Sequence, residues 1–248
     1  MTAIFISFLL ITLVNILAYI WAFRNQSDHL TDISYSACFI AVAVYFFLSY
    51  SNIEPARIIL LSMVSLWAMR LGGFLFYRIY KMGRDTRFDE FRSSKSGFLK
   101  FWLLQSISIW IIALPVMTGL IANDLKIVFP AILIWALGWI IESVADWQKF
   151  IFKNSGESGF IQTGLYSKVR HPNYLGEILV WIGIFWYVAP SLDGWMWWSI
   201  VSPLWVIILL IRVSGIPLIE KANINKYKSN PAFQNYVQRT WRLIPYFY

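Results

Sequence analysis

Long apolar runs separated by short polar connections set the organisation of this chain. The runs lie near 3–23, 33–50, 57–77, 98–122, 127–147, 174–190 and 195–213. Each approaches or reaches the roughly twenty residues a helix needs to cross a hydrocarbon core of about 30 Å. A soluble domain of this length would instead show long polar loops and alternating faces. The pattern predicts an all-α, polytopic membrane bundle of about seven transmembrane helices with a cytoplasmic carboxyl-terminal helical tail. The first run, apolar from Ile4 to Phe23, has neither a basic leader nor a clear small-residue cleavage site, and so reads as a retained span rather than a signal peptide.

Basic residues provide an independent test of this segmentation. With the amino terminus outside, the outward connections hold only Arg57 and Lys126 of the 21 Lys and Arg residues. The others fall on the inner side, including Arg78, Lys81, Arg84, Arg87 and Arg92 after span three, and Lys149, Lys153, Lys168 and Arg170 after span five. A one-span error would scramble this alternation, so the asymmetry supports an odd number of crossings and a cytoplasmic carboxyl terminus. Beyond span seven, Asn230-Pro231 has the form of a helix start, with Asn as cap and Pro at the first helical position. The aromatic tail that follows, with Phe233, Tyr236 and Trp241, is expected to close over something. The chain reads as one membrane domain. Residues 1–97 hold helices one to three and a basic loop, and 98–248 hold helices four to seven and the tail.

Composition agrees with lipid as the solvent: 58% of the 248 residues are hydrophobic and 14% charged, against about a quarter charged in soluble domains. The net charge of +8 follows from topology and from attraction to anionic lipid headgroups, and no recognition fold points to nucleic acid. Cys38, the single cysteine, cannot form an internal disulfide. His29 and His171 are the only histidines, no carboxylate completes a ligand pattern, and no metal is expected.

Polar residues within spans or at their ends are costly in lipid and mark candidate chemistry. At the end of span five, Glu142 and Asp146 share a helix face and run into Lys149 and Lys153. Two readings fit: a network of ion pairs that lets the helix end reach water, or a ligand carrying hydroxyls for the carboxylates and phosphates for the lysines. At the start of span six stands Arg170-His171-Pro172-Asn173-Tyr174-Leu175-Gly176-Glu177. The unpaired N–H groups of a helix start, beside Arg170 and His171, suit phosphate, while Asn173 and Glu177, four apart, can bind an amide. Here too a simpler reading stands, with His171 as an interfacial cap and Glu177 paired to Arg212 or Arg70. Arg70, in the inner half of span three, needs a buried carboxylate or a ligand anion. Gln105 in span four offers a ligand contact or an interhelical hydrogen bond.

The runs RHPNYLGE (Arg170 to Glu177), DWQKFIFK (Asp146 to Lys153) and the closing LIPYFY from Leu243 resemble the membrane-bound steroid 5-alpha-reductase superfamily, particularly its bacterial branch. The likeness covers most of the chain. It implies NADPH held by the cytoplasmic halves of the later helices and delivery of hydride to a carbon–carbon double bond, conjugated to a carbonyl, in a steroid-like or other lipid substrate. By the same resemblance Asn173 and Glu177 stand near the nicotinamide amide, with Tyr174 in the same run. Glu142, Asp146, Lys149 and Lys153 line the adenosine, ribose and phosphate region, joined by Arg84, Arg170, His171 and Arg212. The bacterial branch implies a bacterial inner membrane rather than the endoplasmic reticulum.

Isoprenylcysteine carboxyl methyltransferases share an RHP-x-Y-x-G run but bind S-adenosylmethionine. Asn173, the phosphate-suited Lys149 and Lys153, and a lone Glu220 where those enzymes carry a double Glu weigh against that alternative. Trp67 falls near the position where steroid reductases carry a substrate-binding tyrosine, and the chain has no Gln-Glu pair. Candidates for the catalytic groups are therefore Tyr45, Arg70 and Glu177, with Tyr35 and Tyr77 as further proton donors. A third reading, a lipid-binding membrane protein without enzymatic activity, has a different signature: no pyridine nucleotide would accompany the purified protein.

Overall fold

The computed structural model describes residues 2–25, 27, 29–50, 52–82 and 95–247. Among them regular structure is helical, with no strand. In chain order the α-helices are α1 (Thr2–Asn25), α2 (His29–Tyr50), α3 (Pro55–Met82), α4 (Lys95–Ile112), α5 (Leu114–Ile121), α6 (Phe129–Asn154), α7 (Pro172–Val188), α8 (Val201–Ile208), α9 (Ile216–Tyr227) and α10 (Pro231–Arg239). They supply seven stretches long and apolar enough to cross a membrane, so the protein is an all-α, multi-pass membrane protein.

Local chemistry explains where helices run past the hydropathy boundaries and where they break. The fifth apolar run ends near Trp147, yet α6 continues to Asn154, because nothing from Gln148 to Lys153 opposes a helix. The chain turns only near Gly156, whose φ of 75° is left-handed and favours glycine. Span four breaks between α4 and α5, where Pro115 lacks an N–H. Val116 N–H donates to Ala113 O at 3.0 Å, and the Ser202 hydroxyl donates to Ile112 O at 2.7 Å, satisfying a carbonyl at the break as a membrane interior requires. The last span, Gly194–Tyr227, widens into a π turn at Leu209–Val213. There Ser214 N–H reaches Leu209 O at 2.8 Å. A Cβ on Gly215 would collide with Leu210 O, so glycine is needed for the turn, and α9 restarts with Pro217 in its first turn.

The helices gather into two compact units. The first takes in α1 to α5 with Ile184–Ser202, and the second Phe129–Gly183 with Pro203 to the carboxyl terminus. In the first, α1 packs along α4 and α2 along α3 around fully buried Trp67, Trp102, Phe39 and Phe46. Polar pins cross this apolar packing: the Gln105 amide donates to Asn15 Oδ1 at 2.8 Å and to Ser34 Oγ at 3.3 Å. Interhelical hydrogen bonding thus accounts for Gln105. Arg57, one of the two outward basic residues, is only 4% exposed. Its Nη2 donates to Ala122 O at 2.7 Å and its Nη1 to Leu120 O at 3.2 Å, while the Glu54 carboxylate lies 3.2 Å from Nε. The guanidinium caps the carboxyl end of α5, where helix carbonyls lack partners and carry partial negative charge.

In the second unit, glycines let α6 and α7 meet backbone to backbone. A Cβ on Gly138 would stand 2.7 Å from Gly176 O and Val180 N, one on Gly176 2.5 Å from Glu142 N, and one on Gly183 2.7 Å from Trp135 N. Small residues at such crossings are how membrane helices approach closely without a hydrophobic driving force. This contact fixes α6 at Glu142 against the first turns of α7.

Candidate functional site

The glycine crossing sets the carboxylate–lysine face of α6 beside the motif that opens α7. Glu142 is 3% exposed; Asp146 and Lys149 follow half-buried one and two turns on, and Lys153 reaches the surface in the last turn. Across from them, α7 begins at Pro172 after His171, whose carbonyl accepts from Tyr174 and Leu175 N–H at 3.2 and 3.3 Å. Asn173, Tyr174 and Glu177, all half-buried, occupy its first two turns. The His171 ring is 3% exposed and stacks on Tyr174 with centroids 5.7 Å apart and planes at 13°.

Arg170 and His171 converge on one carboxylate oxygen. Arg170 Nε lies 3.0 Å from Glu220 Oε1, and His171 Nε2 lies 2.8 Å from the same atom. Arg170 Nη1 also donates to Val237 O at 3.0 Å and to Thr240 O at 2.6 Å, which are carbonyls at the end of α10. One guanidinium therefore joins the α7 motif, α9 through Glu220, and the end of α10. Backbone pairing extends the junction: Trp241 N–H donates to Lys168 O, Arg170 N–H to Trp241 O, and His171 N–H to Arg242 O, at 2.8 to 3.1 Å. Asn230 caps α10 as its sequence predicts, its Oδ1 accepting from Ala232 N–H at 2.9 Å. The buried side of α10 carries Phe233 and Tyr236, which pack on Phe160 with centroids 5.0 and 5.1 Å away. The Tyr236 hydroxyl donates to Tyr166 O at 2.8 Å, and the Tyr166 hydroxyl donates to Ala145 O of α6 at 3.3 Å. What the tail closes over is the loop between α6 and α7.

Electrostatics keep these groups in defined protonation states. Burial, and then the negative charge of Asp146, pushes the Tyr166 phenol far above its ordinary value, and burial pushes Tyr236 up to about 12. Burial also lowers His171; the hydrogen bond and charge of Glu220 oppose this, and the Lys149 and Arg170 charges reinforce it. His171 is thus neutral, with Nε2–H donating to Glu220. An unfolded chain takes up a proton at this residue near pH 6.5, while the folded one resists it until lower pH. The resulting stability is complete above pH 6.5 and is lost as pH falls toward the depressed value, by at most about 1.4 kcal/mol per pH unit. Thermal midpoints in detergent between pH 8 and pH 5 should fall more steeply for the wild type than for His171→Gln, which keeps a donor and cannot titrate. Parallel profiles would remove His171 as the source.

The remaining predicted residues are placed more widely. Arg212 is exposed in the π turn of the second unit. Tyr45 and Arg70 belong to the first unit, on α2 and α3, both half-buried; Tyr45 makes an edge contact with Phe46 at 5.3 Å. Trp67 packs on Phe39 with centroids 5.2 Å apart at 87°, as a core side chain. Arg84, with Arg87 and Arg92, lies outside the described residues. Sequence reasoning missed the role of Glu220 in organising the junction. The available signal was that Glu220 is the only acidic residue after Asp193, in a tail of many bases.

Residues 18–240 match the family described as "Protein of unknown function (DUF1295)". The chain is 22% identical over 259 residues to "Uncharacterized protein C594.04c" of Schizosaccharomyces pombe, covering 89% of this chain and 72% of that protein. No solved structure matches. The family match runs from within α1 to Thr240, and so includes the glycine crossing and the contacts of Arg170 with Glu220, Val237 and Thr240. This multi-pass helical membrane protein belongs to the DUF1295 family.

Proposed function

We propose that the protein is an NADPH-dependent oxidoreductase of the steroid 5-alpha-reductase type, reducing a carbon–carbon double bond conjugated to a carbonyl in a lipid-like substrate. In this reading the amino terminus is outside, the carboxyl terminus is cytoplasmic, and the membrane is a bacterial inner membrane. The observation that carries it is the glycine crossing, which gathers Glu142, Asp146 and Lys149 of α6 with Asn173, Tyr174 and Glu177 of α7 inside one unit. The donor set fits a dinucleotide. Among the described residues the Asn173 amide and Glu220 Oε2 make no hydrogen bond, leaving polar atoms for an amide and a hydroxyl.

NADPH, when bound, supplies the hydride. Asn173 and Glu177 orient the carboxamide, Asp146 and Glu142 accept from ribose hydroxyls, and Lys149, Lys153, Arg212 and Arg84 neutralise phosphate. Arg170 and His171, engaged by Glu220, hold the start of α7 in place. A donor at the substrate carbonyl would stabilise negative charge there and supply the proton; a phenol such as that of Tyr45 can do both, whereas a guanidinium such as that of Arg70 can only stabilise the charge.

NADPH should raise the thermal midpoint of the detergent-purified protein, and S-adenosylmethionine should not. Stabilisation by the methyl donor alone would replace this reading with a methyltransferase. Lys153→Ala should weaken NADPH by about tenfold and NADH by less than about twofold, since a charge-assisted contact to the 2′-phosphate is lost only for the former. An equal loss for both removes Lys153 from that role.

A further inference from the structure

α2 and α3 of the first unit border a groove of about 330 Å³, walled by Ser36, Ala37, Ile40, Ala68, Gly72 and Gly73 among others. Its two glycines have different reasons. A Cβ on Gly72 would stand 2.8 Å from both Cβ and Oγ of Ser36, so Gly72 lets the helices touch. A Cβ on Gly73 would meet nothing within 4 Å. Glycine weakens a helix interior relative to alanine, and no neighbour requires it at 73. Its effect is to keep the groove open.

The second observation is the hydroxyl on the groove wall. Ser36 is 4% exposed, and its Oγ has no hydrogen-bond partner among the described residues. A buried hydroxyl without an acceptor is uncommon and costly, more so in a membrane span. One helical turn before it on α2, Asp32 pairs with Arg78 at 3.7 Å, and on α3 Tyr77 and Tyr80 are 41% and 74% exposed. Charged and aromatic side chains of this kind mark the headgroup level, which puts Ser36 about 6 Å deeper, Gly73 near the level of Gly72, which touches Ser36, and Ala68 and Ile40 deeper along the groove.

We propose that this groove holds one acyl chain of a glycerolipid, with the ester carbonyl accepting the Ser36 hydroxyl and the chain passing Gly73. Headgroup, ester oxygen and hydrocarbon follow one another in such a lipid in the order in which the ion pair, the hydroxyl and the apolar walls follow one another here. The volume is at the low end of the range of ligand sites, about 300–1,000 Å³, which suits a chain segment. The inference is independent of the cofactor.

Ester- and ether-linked phosphatidylcholines of the same chain length, added to delipidated protein and scored by native mass spectrometry, test it directly. The wild type should retain the ester form about fivefold better, the worth of one hydrogen bond. Ser36→Ala should bind both forms equally, at the ether level. Gly73→Leu should retain neither, and Gly73→Ala should retain the ester form. Equal retention of both lipids by the wild type, or an ester preference that survives Ser36→Ala, overturns the proposal. So does a dimer that Gly73→Leu dissociates, which would assign the groove to a second copy. Should Gly73→Leu fail to fold, the Ser36→Ala comparison still decides.

Discussion

Arg170→Ala is expected to lower stability by about 3–5 kcal/mol, the usual consequence of removing one partner from a buried ion pair. The Arg170 and Glu220 side chains are 8% and 15% exposed, so Glu220 would keep its charge with only His171 as donor. The Val237 and Thr240 carbonyls, now served by Nη1 at 3.0 and 2.6 Å, would lose that donor together. A stability loss of this size lowers the thermal midpoint by about 6–20 °C in a chain of this length. It should also free α10, so that trypsin cuts at Arg239 and Arg242 in the variant before it cuts in the wild type. Arg170→Lys separates charge from shape. An ammonium retains the attraction to Glu220 but cannot serve Oε1 and two carbonyls in the guanidinium geometry, so an intermediate loss is expected. A wild-type midpoint and a protease-resistant tail in Arg170→Ala would show that the junction does not hold the tail.

Gly176→Ala should be equally informative because helix propensity and packing oppose each other. In a helix interior, alanine is favoured over glycine by roughly 0.5–1 kcal/mol. The new methyl, however, would stand 2.5 Å from Glu142 N and 2.7 Å from Gly138 O. Both are backbone atoms and cannot rotate away, so α6 and α7 must separate. Overpacking of this kind costs about 1–3 kcal/mol, and a net loss is expected. The contrast is Gly73→Ala, whose methyl meets no neighbour and which should be neutral or stabilising. Because separation moves Glu142 away from the start of α7, Gly176→Ala should also abolish stabilisation by NADPH. A variant as stable as the wild type and equally responsive to NADPH would sink both the tight crossing and its link to the site.

These two substitutions also show what the sequence could and could not disclose. Hydropathy located the spans because exclusion from water acts on runs of residues and does not need their partners. It lost α6 near Trp147, since an amphipathic helix end stays helical after its apolar character fades. The RHPNYLGE run was legible as a polar constellation at a helix start, but its glycine was legible only as a letter. That Gly176 is a contact with Glu142 depends on where α6 passes, which is tertiary information. Arg57 read as an outward charge counted for topology, whereas it is a buried cap on α5. Arg170 read as a phosphate ligand, and its bonds to Glu220, Val237 and Thr240 join segments distant in sequence, which no local pattern announces.

The pairing of Lys168–His171 with Trp241–Arg242 has a consequence for how the protein is made. A ribosome releases residues at about 5–20 per second, so the RHPNYLGE segment waits several seconds for its partner segment, encoded some 70 residues later. Membrane insertion can be finished while this closure is still impossible. Maturation therefore has a late step set by translation of the Trp241–Arg242 segment, and a nascent chain that has not yet reached it would be inserted but unlatched.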